Sequence, residues 1–157
     1  MMDKDAALTI TADTLSFDTV FTSVGSVTQN FTIVNPNNRK LKLNTVRLMG
    51  GSNSPYKINV DGIASTEVRD VEINAGDSVY VFVSLTVDPS SSGTPFIVSD
   101  SILVGYNGNE RYVQLEAYGQ NAHFLKNYVI DADATWENDL PYVISGGLLI
   151  KEGVTLT

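Results

Sequence analysis

The stretch Val79-Tyr80-Val81-Phe82-Val83-Ser84-Leu85-Thr86-Val87 decides the class of fold. Its odd-numbered positions are all aliphatic, and its even-numbered positions are two aromatic residues followed by two hydroxyl residues. Strict alternation is typical of a β-strand, because successive side chains point to opposite faces of a sheet. The stretch therefore predicts a central strand with one face in a core and a half-apolar second face.

Shorter strand-like runs separated by turn residues extend this pattern in both directions. Asn35-Pro36-Asn37-Asn38 predicts a tight turn, since proline fixes φ and asparagine tolerates the left-handed region. Asn107-Gly108 predicts a hairpin between strands over 96–106 and 111–118. No segment up to Gly119 has helical periodicity. Strands of this length and spacing predict an all-β sandwich over residues 7–122.

Composition excludes several classes of function. The 157 residues include 10 Lys+Arg against 18 Asp+Glu, so the net charge is -8, and an acidic chain repels the phosphates of nucleic acids. The chain has no cysteine, which excludes disulfides, thiolate metal sites and cysteine nucleophiles. No run approaches the roughly 18 apolar residues that span a bilayer. We therefore expect no nucleic-acid partner and no membrane contact through the polypeptide itself.

The two ends of the chain differ from the sandwich. Residues 1–6 are polar and begin abruptly, so they are predicted to be the remnant of an engineered beginning or linker, with any targeting segment removed. Residues 123–139 are predicted to be a linker. Beyond Pro141, short apolar runs are separated by Gly146-Gly147 and by Gly153, a spacing typical of solenoid coils. A single coil cannot bury its own face, so residues 140–157 are predicted to be the truncated start of a β-helix-like domain.

Acidic residues cluster around Trp136 in the predicted linker. Calcium favours several oxygen ligands from one loop, but the spacing fits no EF-hand, so a solvated acidic linker stays the alternative to a metal site. The candidate calcium ligands are Asp131, Asp133, Glu137 and Asp139.

No residue pattern predicts catalysis. His123 is the only histidine, it has no serine or cysteine motif beside it, and it is expected to contact a domain junction. No pair of carboxylates has the apolar setting that would raise one pKa for glycoside hydrolysis. We predict no catalytic residue, no cofactor and no enzymatic activity. Aromatic rings for binding sugars are available on five tyrosines: Tyr56, Tyr80, Tyr106, Tyr112 and Tyr118.

The order of strands and turns resembles a known branch of the immunoglobulin fold. The segments that carry the resemblance are Phe31-Thr32-Ile33-Val34-Asn35-Pro36-Asn37, Ala75-Gly76-Asp77, Val81-Phe82-Val83-Ser84-Leu85 and the closing strand that ends at Gly119. They are similar to the Hydin-like, major sperm protein-related domains over roughly residues 15–120. Thr86-Val87-Asp88-Pro89 departs from the pattern, in which an aromatic residue often precedes the proline. The resemblance implies an immunoglobulin-like Greek-key β-sandwich with a short C-terminal β extension.

The tail adds a second resemblance. Trp136-Glu137-Asn138-Asp139-Leu140-Pro141-Tyr142-Val143-Ile144, followed by Gly147, Ile150 and Gly153, looks like the beginning of a right-handed parallel β-helix. Such a helix follows this kind of sandwich in surface lipoproteins of Bacteroidetes. The resemblance implies a lipobox cysteine just upstream of Asp3, and a cell-envelope protein anchored in the outer membrane, periplasmic or surface-exposed, through a lipid that this chain lacks.

These inferences lead to two alternative functions. The first is a non-catalytic adhesion or scaffold module of a cell-surface lipoprotein, with protein partners or self-association through the C-terminal tail or edge strands. The second is a carbohydrate-binding module of a surface protein that binds or degrades glycans.

Overall fold

The computed structural model of the chain describes residues 5–22, 26, 28–88 and 96–157, so residues 1–4 of the predicted remnant lie outside the described part. The described residues form strands and a single 3-10 turn at Gly51–Asn53. No helix in this part of the chain has the length and apolar character needed to cross a membrane. The strands are β1 (Thr9–Ile10), β2 (Thr14–Phe21), β3 (Gln29–Val34), β4 (Leu41–Leu48), β5 (Tyr56–Val60), β6 (Ile63–Ala64), β7 (Glu67–Ile73), β8 (Ser78–Leu85), β9 (Phe96–Tyr106), β10 (Asn109–Gln120), β11 (His123–Ile130) and β12 (Tyr142–Ile150).

Ten of these strands form two sheets that pack face to face. Sheet A has the order β1-β3-β8-β5-β6, and sheet B has the order β2-β10-β9-β4-β7. The first stretch of the chain is divided between them, because β1 pairs with β3 in sheet A while β2 pairs in parallel with β10 in sheet B. The inner faces enclose one hydrophobic core. The chain is thus an all-β protein with an immunoglobulin-like sandwich, which confirms the predicted fold class.

Strand β8 lies at the centre of sheet A, as its alternation predicts. It pairs with β3 on one side and with β5 on the other. Its aliphatic positions are buried, down to 0% exposure at Val81, whereas Tyr80 and Phe82 are 52% and 42% exposed on the outer face. The half-apolar second face is therefore turned away from the core.

Two predicted turns occur where the sequence places them. Asn107 and Gly108 both have positive φ, 49° and 76°, and join β9 to β10 as a tight hairpin. The turn after β3 is fixed by the fully buried Asn35, whose amide donates hydrogen bonds to the carbonyls of Arg39, Ile73 and Asn74. The side chain of Asn35 therefore ties this turn to the turn before β8.

The structure differs from the sequence prediction in three elements. Val71 and Ile73 predict only a brief strand, whereas β7 begins at Glu67. The longer strand gives no continuous pattern because Asp70 has a positive φ of 56° and interrupts the alternation of buried and exposed positions. Strand β6 has two residues, too few to give a periodic signal. The predicted linker 123–139 contains β11, most of whose side chains are exposed, so that no core-facing pattern marks it.

The tail forms a third, two-stranded sheet from β11 and β12. The sandwich core draws on residues between Leu8 and Ala117, and no residue of the tail belongs to that cluster. Ile130, at the end of β11, is the most deeply buried apolar residue described in the tail, with 4% exposure. The core of the sandwich is therefore complete without the tail.

Candidate functional site

Strands β11 and β12 lie parallel, and their register is nearly constant. His123 lies opposite Tyr142 and Ile130 lies opposite Ile150, offsets of 19 and 20 residues. A further parallel bridge joins Ala134, which follows β11, to Leu156, which follows β12. The Thr157 N–H also donates a hydrogen bond of 3.0 Å to the Ala134 carbonyl. The tail therefore consists of two successive coils, each with a strand followed by a bridged segment.

A shared corner fixes the stacking of the two coils. Asn127 bends the first strand with a positive φ of 46°, and Gly146 bends the second with a φ of 78°. The Asn127 side-chain oxygen accepts a hydrogen bond from the Gly147 N–H at 3.2 Å. A Cβ atom at position 146 would overlap that oxygen, whereas a Cβ at position 147 would meet nothing within 4 Å. The corner therefore requires glycine at 146 but not at 147.

Three rings form a stack at the start of the coils. The Trp136 and Tyr142 rings are nearly parallel, with centroids 4.1 Å apart, and His123 covers Tyr142 at 4.6 Å. His123 Nε2 lies 2.8 Å from Asp139 Oδ1, and this contact holds the pKa of the Asp139 carboxyl below its ordinary value. The Tyr142 hydroxyl accepts a hydrogen bond from the Glu137 N–H. The histidine therefore anchors the crossover 131–141 to β12.

The four candidate calcium ligands occupy separate positions along this crossover. Asp139 faces His123, Asp133 accepts a hydrogen bond from the Thr155 N–H at 2.7 Å, and Asp131 lies 3.9 Å from the Lys151 ammonium. Glu137 is exposed. Within the described residues, no three acidic or histidine side chains converge in a way that could hold a metal ion. The structure thus gives two of the aspartates a role in closing the coils, and the calcium hypothesis stays a prediction.

The outer strand of the coil pair exposes large apolar side chains. On β12, Leu149 is 57% exposed, Ile150 43% and Ile144 42%. No other strand of the described chain pairs with the outer edge of β12. Exposed apolar side chains beside an unpaired strand edge are typical of interaction surfaces.

The structure separates the five tyrosines that the sequence offered as sugar-binding rings. Tyr56 and Tyr106 are buried, 2% and 8% exposed, so neither presents a ring to solvent. Tyr112 and Tyr118 are exposed on the outer face of sheet B, and Tyr80 is exposed on the outer face of sheet A. Two of the five candidates are therefore core residues, because their positions in the alternation point inward.

The outer face of sheet A contains an aromatic residue that the tyrosine prediction left out. Phe82 and Tyr80 have nearly parallel rings with centroids 6.1 Å apart. Phe82 lies directly between Asn30 on β3 and Asn59 on β5. The spacing of two between Tyr80 and Phe82 was the sequence signal for this pair, whereas the flanking amides depend on the register of three strands and leave no local signal.

Comparisons with known proteins support the class of fold and indicate no function. No protein-family model matches the chain, and no curated protein matches it. A family 123 glycoside hydrolase from Clostridium perfringens is similar in structure with a TM-score of 0.50 at 9% identity, over 78% of this chain and 31% of the hydrolase. The ASH/PapD-like domain 7 of human CEP192 has a TM-score of 0.45 at 9% identity, over 77% of this chain and 89% of that domain. The CooA pilin subunit from enterotoxigenic Escherichia coli also has a TM-score of 0.45 at 9% identity, over 73% of this chain and 97% of the pilin. At such identities the likeness concerns the fold alone.

Proposed function

We propose that the chain is a non-catalytic scaffold module of a cell-surface lipoprotein, in which the sandwich carries the first coils of a right-handed parallel β-helix. The observation that carries the proposal is the parallel pairing of β11 with β12 at an offset of 19 to 20 residues. Two parallel strands that follow each other in sequence need a crossover connection. Here Ala134 in the crossover forms its own parallel bridge with Leu156, which follows β12. Strand and crossover thus repeat together, which is the organisation of a solenoid.

The exposed side chains of β12 support a scaffold role. Each coil of a solenoid contacts only its neighbours, so the outermost coil exposes whatever the next one would cover. Leu149 and Ile150 are both more than two-fifths exposed, and covering such side chains contributes roughly 25 cal/mol per Å² of apolar area. A further coil stacked in the same register would bury them and pair the outer edge of β12.

The sandwich supplies rigidity in this proposal. Its core is closed by two five-stranded sheets, and the tail is attached directly after β10, the closing strand of the sandwich. A module of this kind holds a solenoid at a fixed distance from an anchor and offers edge strands for pairing with a partner. The placement in a Bacteroidetes lipoprotein rests on the Hydin-like strand-and-turn pattern and on the tail sequence.

Cell fractionation tests the proposed location. Antibodies raised against the chain should label intact cells of its source, and the native protein should incorporate radiolabelled palmitate and enter the detergent phase on Triton X-114 partition. Antibodies against an abundant cytosolic protein of those cells, applied in the same way, give the control for lysis. Labelling that requires broken cells, together with a protein free of palmitate, would contradict the proposal.

A further inference from the structure

We propose that the outer face of sheet A binds an oligosaccharide, with Tyr80 and Phe82 as the stacking rings. This role goes beyond the scaffold function and is independent of the coils, because every residue that forms the face belongs to β3, β5, β6 or β8 or directly adjoins one of them. It also gives the carbohydrate-binding alternative a definite place in the fold.

The two rings supply the apolar part of the site. Tyr80 and Phe82 are 52% and 42% exposed, on a central strand whose backbone is hydrogen-bonded on both sides. Their positions are therefore fixed by the sheet without any ligand. The C–H face of a pyranose ring is apolar and flat, so it can cover an exposed aromatic ring and remove both surfaces from water.

Side-chain amides flank the rings in the way that a hydroxyl-rich ligand requires. Asn30 and Asn59 lie directly opposite Phe82 on the neighbouring strands. In the described part of the chain, neither amide has a hydrogen-bond partner, and neither does the Lys57 ammonium. Each amide offers both a donor and an acceptor, which matches a pair of adjacent sugar hydroxyls.

A shallow groove beside Phe82 gives the site its concave part. The groove has a volume of about 250 Å³, and its lining combines the apolar residues Phe82, Ile58 and Ala64 with polar side chains. These include Lys57 and Asn59 of β5, Ser84 of β8 and Thr28. One sugar residue in this groove would have Phe82 as its wall, and the next would reach Tyr80 along the strand.

The chemistry of the face favours a glycan over a protein partner. A specific protein interface buries about 800 Å² on each side around an apolar centre. Here the exposed apolar part is two rings and the small side chain of Ala64, and the positions around them include asparagine, threonine, serine and lysine. Thr32 lies on one side of Tyr80, and the Asp61 backbone pairs with Tyr80 on the other. Uncommitted amides around a small aromatic centre satisfy hydroxyl groups better than they satisfy a hydrophobic protein surface.

Affinity electrophoresis of the full chain tests the proposal. The chain is run in native gels that contain xylan, laminarin, pullulan, galactomannan, polygalacturonate or hyaluronan, and it is also applied to an array of mammalian and bacterial glycans. We expect retardation or array binding by at least one glycan. Tyr80→Ala and Phe82→Ala should each weaken that binding about tenfold, whereas Phe82→Tyr should retain it.

Matched variants locate the effect. Tyr118→Ala removes a tyrosine with the same 52% exposure from the opposite sheet, so it should leave binding unchanged. Asn30→Ala and Asn59→Ala should weaken binding less than the ring variants do. Melting temperatures of all variants show that the fold persists. No binding to any gel or array glycan, or binding that survives Tyr80→Ala and Phe82→Ala as well as it survives Tyr118→Ala, would overturn the proposal.

Discussion

The Asn35 side chain makes five hydrogen bonds that hold two turns together. Its amide donates to three carbonyls at 2.8–3.0 Å, and its oxygen accepts hydrogen bonds from the Asn37 backbone and side chain. Aspartate at this position keeps the shape but loses the donors and places a charge in a site with 0% exposure. We expect Asn35→Asp to lower the free energy of unfolding by about 3 kcal/mol or more.

Urea denaturation measures this loss, and Asn38→Asp is the matched control. Asn38 belongs to the same turn and is exposed, so the same chemical change should cost less than about 0.5 kcal/mol there. Equal losses for the two variants would show that the buried amide network has no special role.

Tyr56 makes the fold less stable at alkaline pH. Its ring is 2% exposed and its hydroxyl donates to the Val98 carbonyl at 2.7 Å, and burial, assisted by the nearby Asp100 and Glu116 carboxylates, raises the pKa of Tyr56 to about 12. In the unfolded chain the phenol has its ordinary pKa of 10.0. The raised pKa therefore contributes stability that is complete below pH 10 and is lost as the pH rises towards 12.

The comparison of wild type with Tyr56→Phe isolates this dependence. Phenylalanine cannot ionise, so the variant should be less stable at pH 8, where it lacks the hydrogen bond to Val98, but should lose less stability between pH 10 and pH 11.5. The difference in slope should approach about 1.4 kcal/mol per pH unit. Urea denaturation at several pH values measures it, and parallel curves for the two proteins would refute the assignment.

At the scale of elements, local pattern predicts strands that face the core and misses those that do not. The alternation in β8, the Asn35-Pro36 turn and the Asn107-Gly108 hairpin are all visible in sequence, because each depends on neighbouring residues. Strand β11 is not visible, because its stability comes from pairing with residues about 20 positions away. The same holds for the face of Phe82, since Asn30 and Asn59 are brought to it only by the register of the sheet.

The corner between Asn127 and Gly146 provides a test of the coil pair as an element. Gly146→Ala introduces a Cβ that overlaps the Asn127 side chain and places alanine at a φ of 78°, so we expect it to destabilise the β11–β12 pair by about 1–2 kcal/mol. Hydrogen exchange should then accelerate in β11 and β12 while the sandwich strands keep their protection. Gly147→Ala, which meets nothing within 4 Å, is the control and should exchange like the wild type. Unchanged exchange in Gly146→Ala would mean that the coils do not stack in this register.

At the scale of the whole molecule, the chain joins two β architectures with different sources of stability. The sandwich buries its own core between two sheets, whereas the coil pair has little interior and relies on stacking, on the Trp136–Tyr142–His123 stack and on the shared corner. The two stacked coils leave apolar residues in solvent, as Leu149 shows with 57% exposure. We therefore expect the tail to associate with other surfaces while the sandwich remains a stable unit.

Shortening the chain separates these two properties. A chain that ends at Ala122 keeps the whole core cluster, so its melting temperature should lie within a few degrees of that of the full chain. Size-exclusion chromatography over a range of concentrations should show self-association of the full chain only. Leu149→Lys places a charge among the exposed apolar side chains of β12, so it should reduce the self-association while the coils remain folded. If the shortened and full chains elute alike at every concentration, the tail is not an assembly element. If the shortened chain fails to fold, the sandwich depends on contacts with the coils, and the division into two independent architectures is wrong.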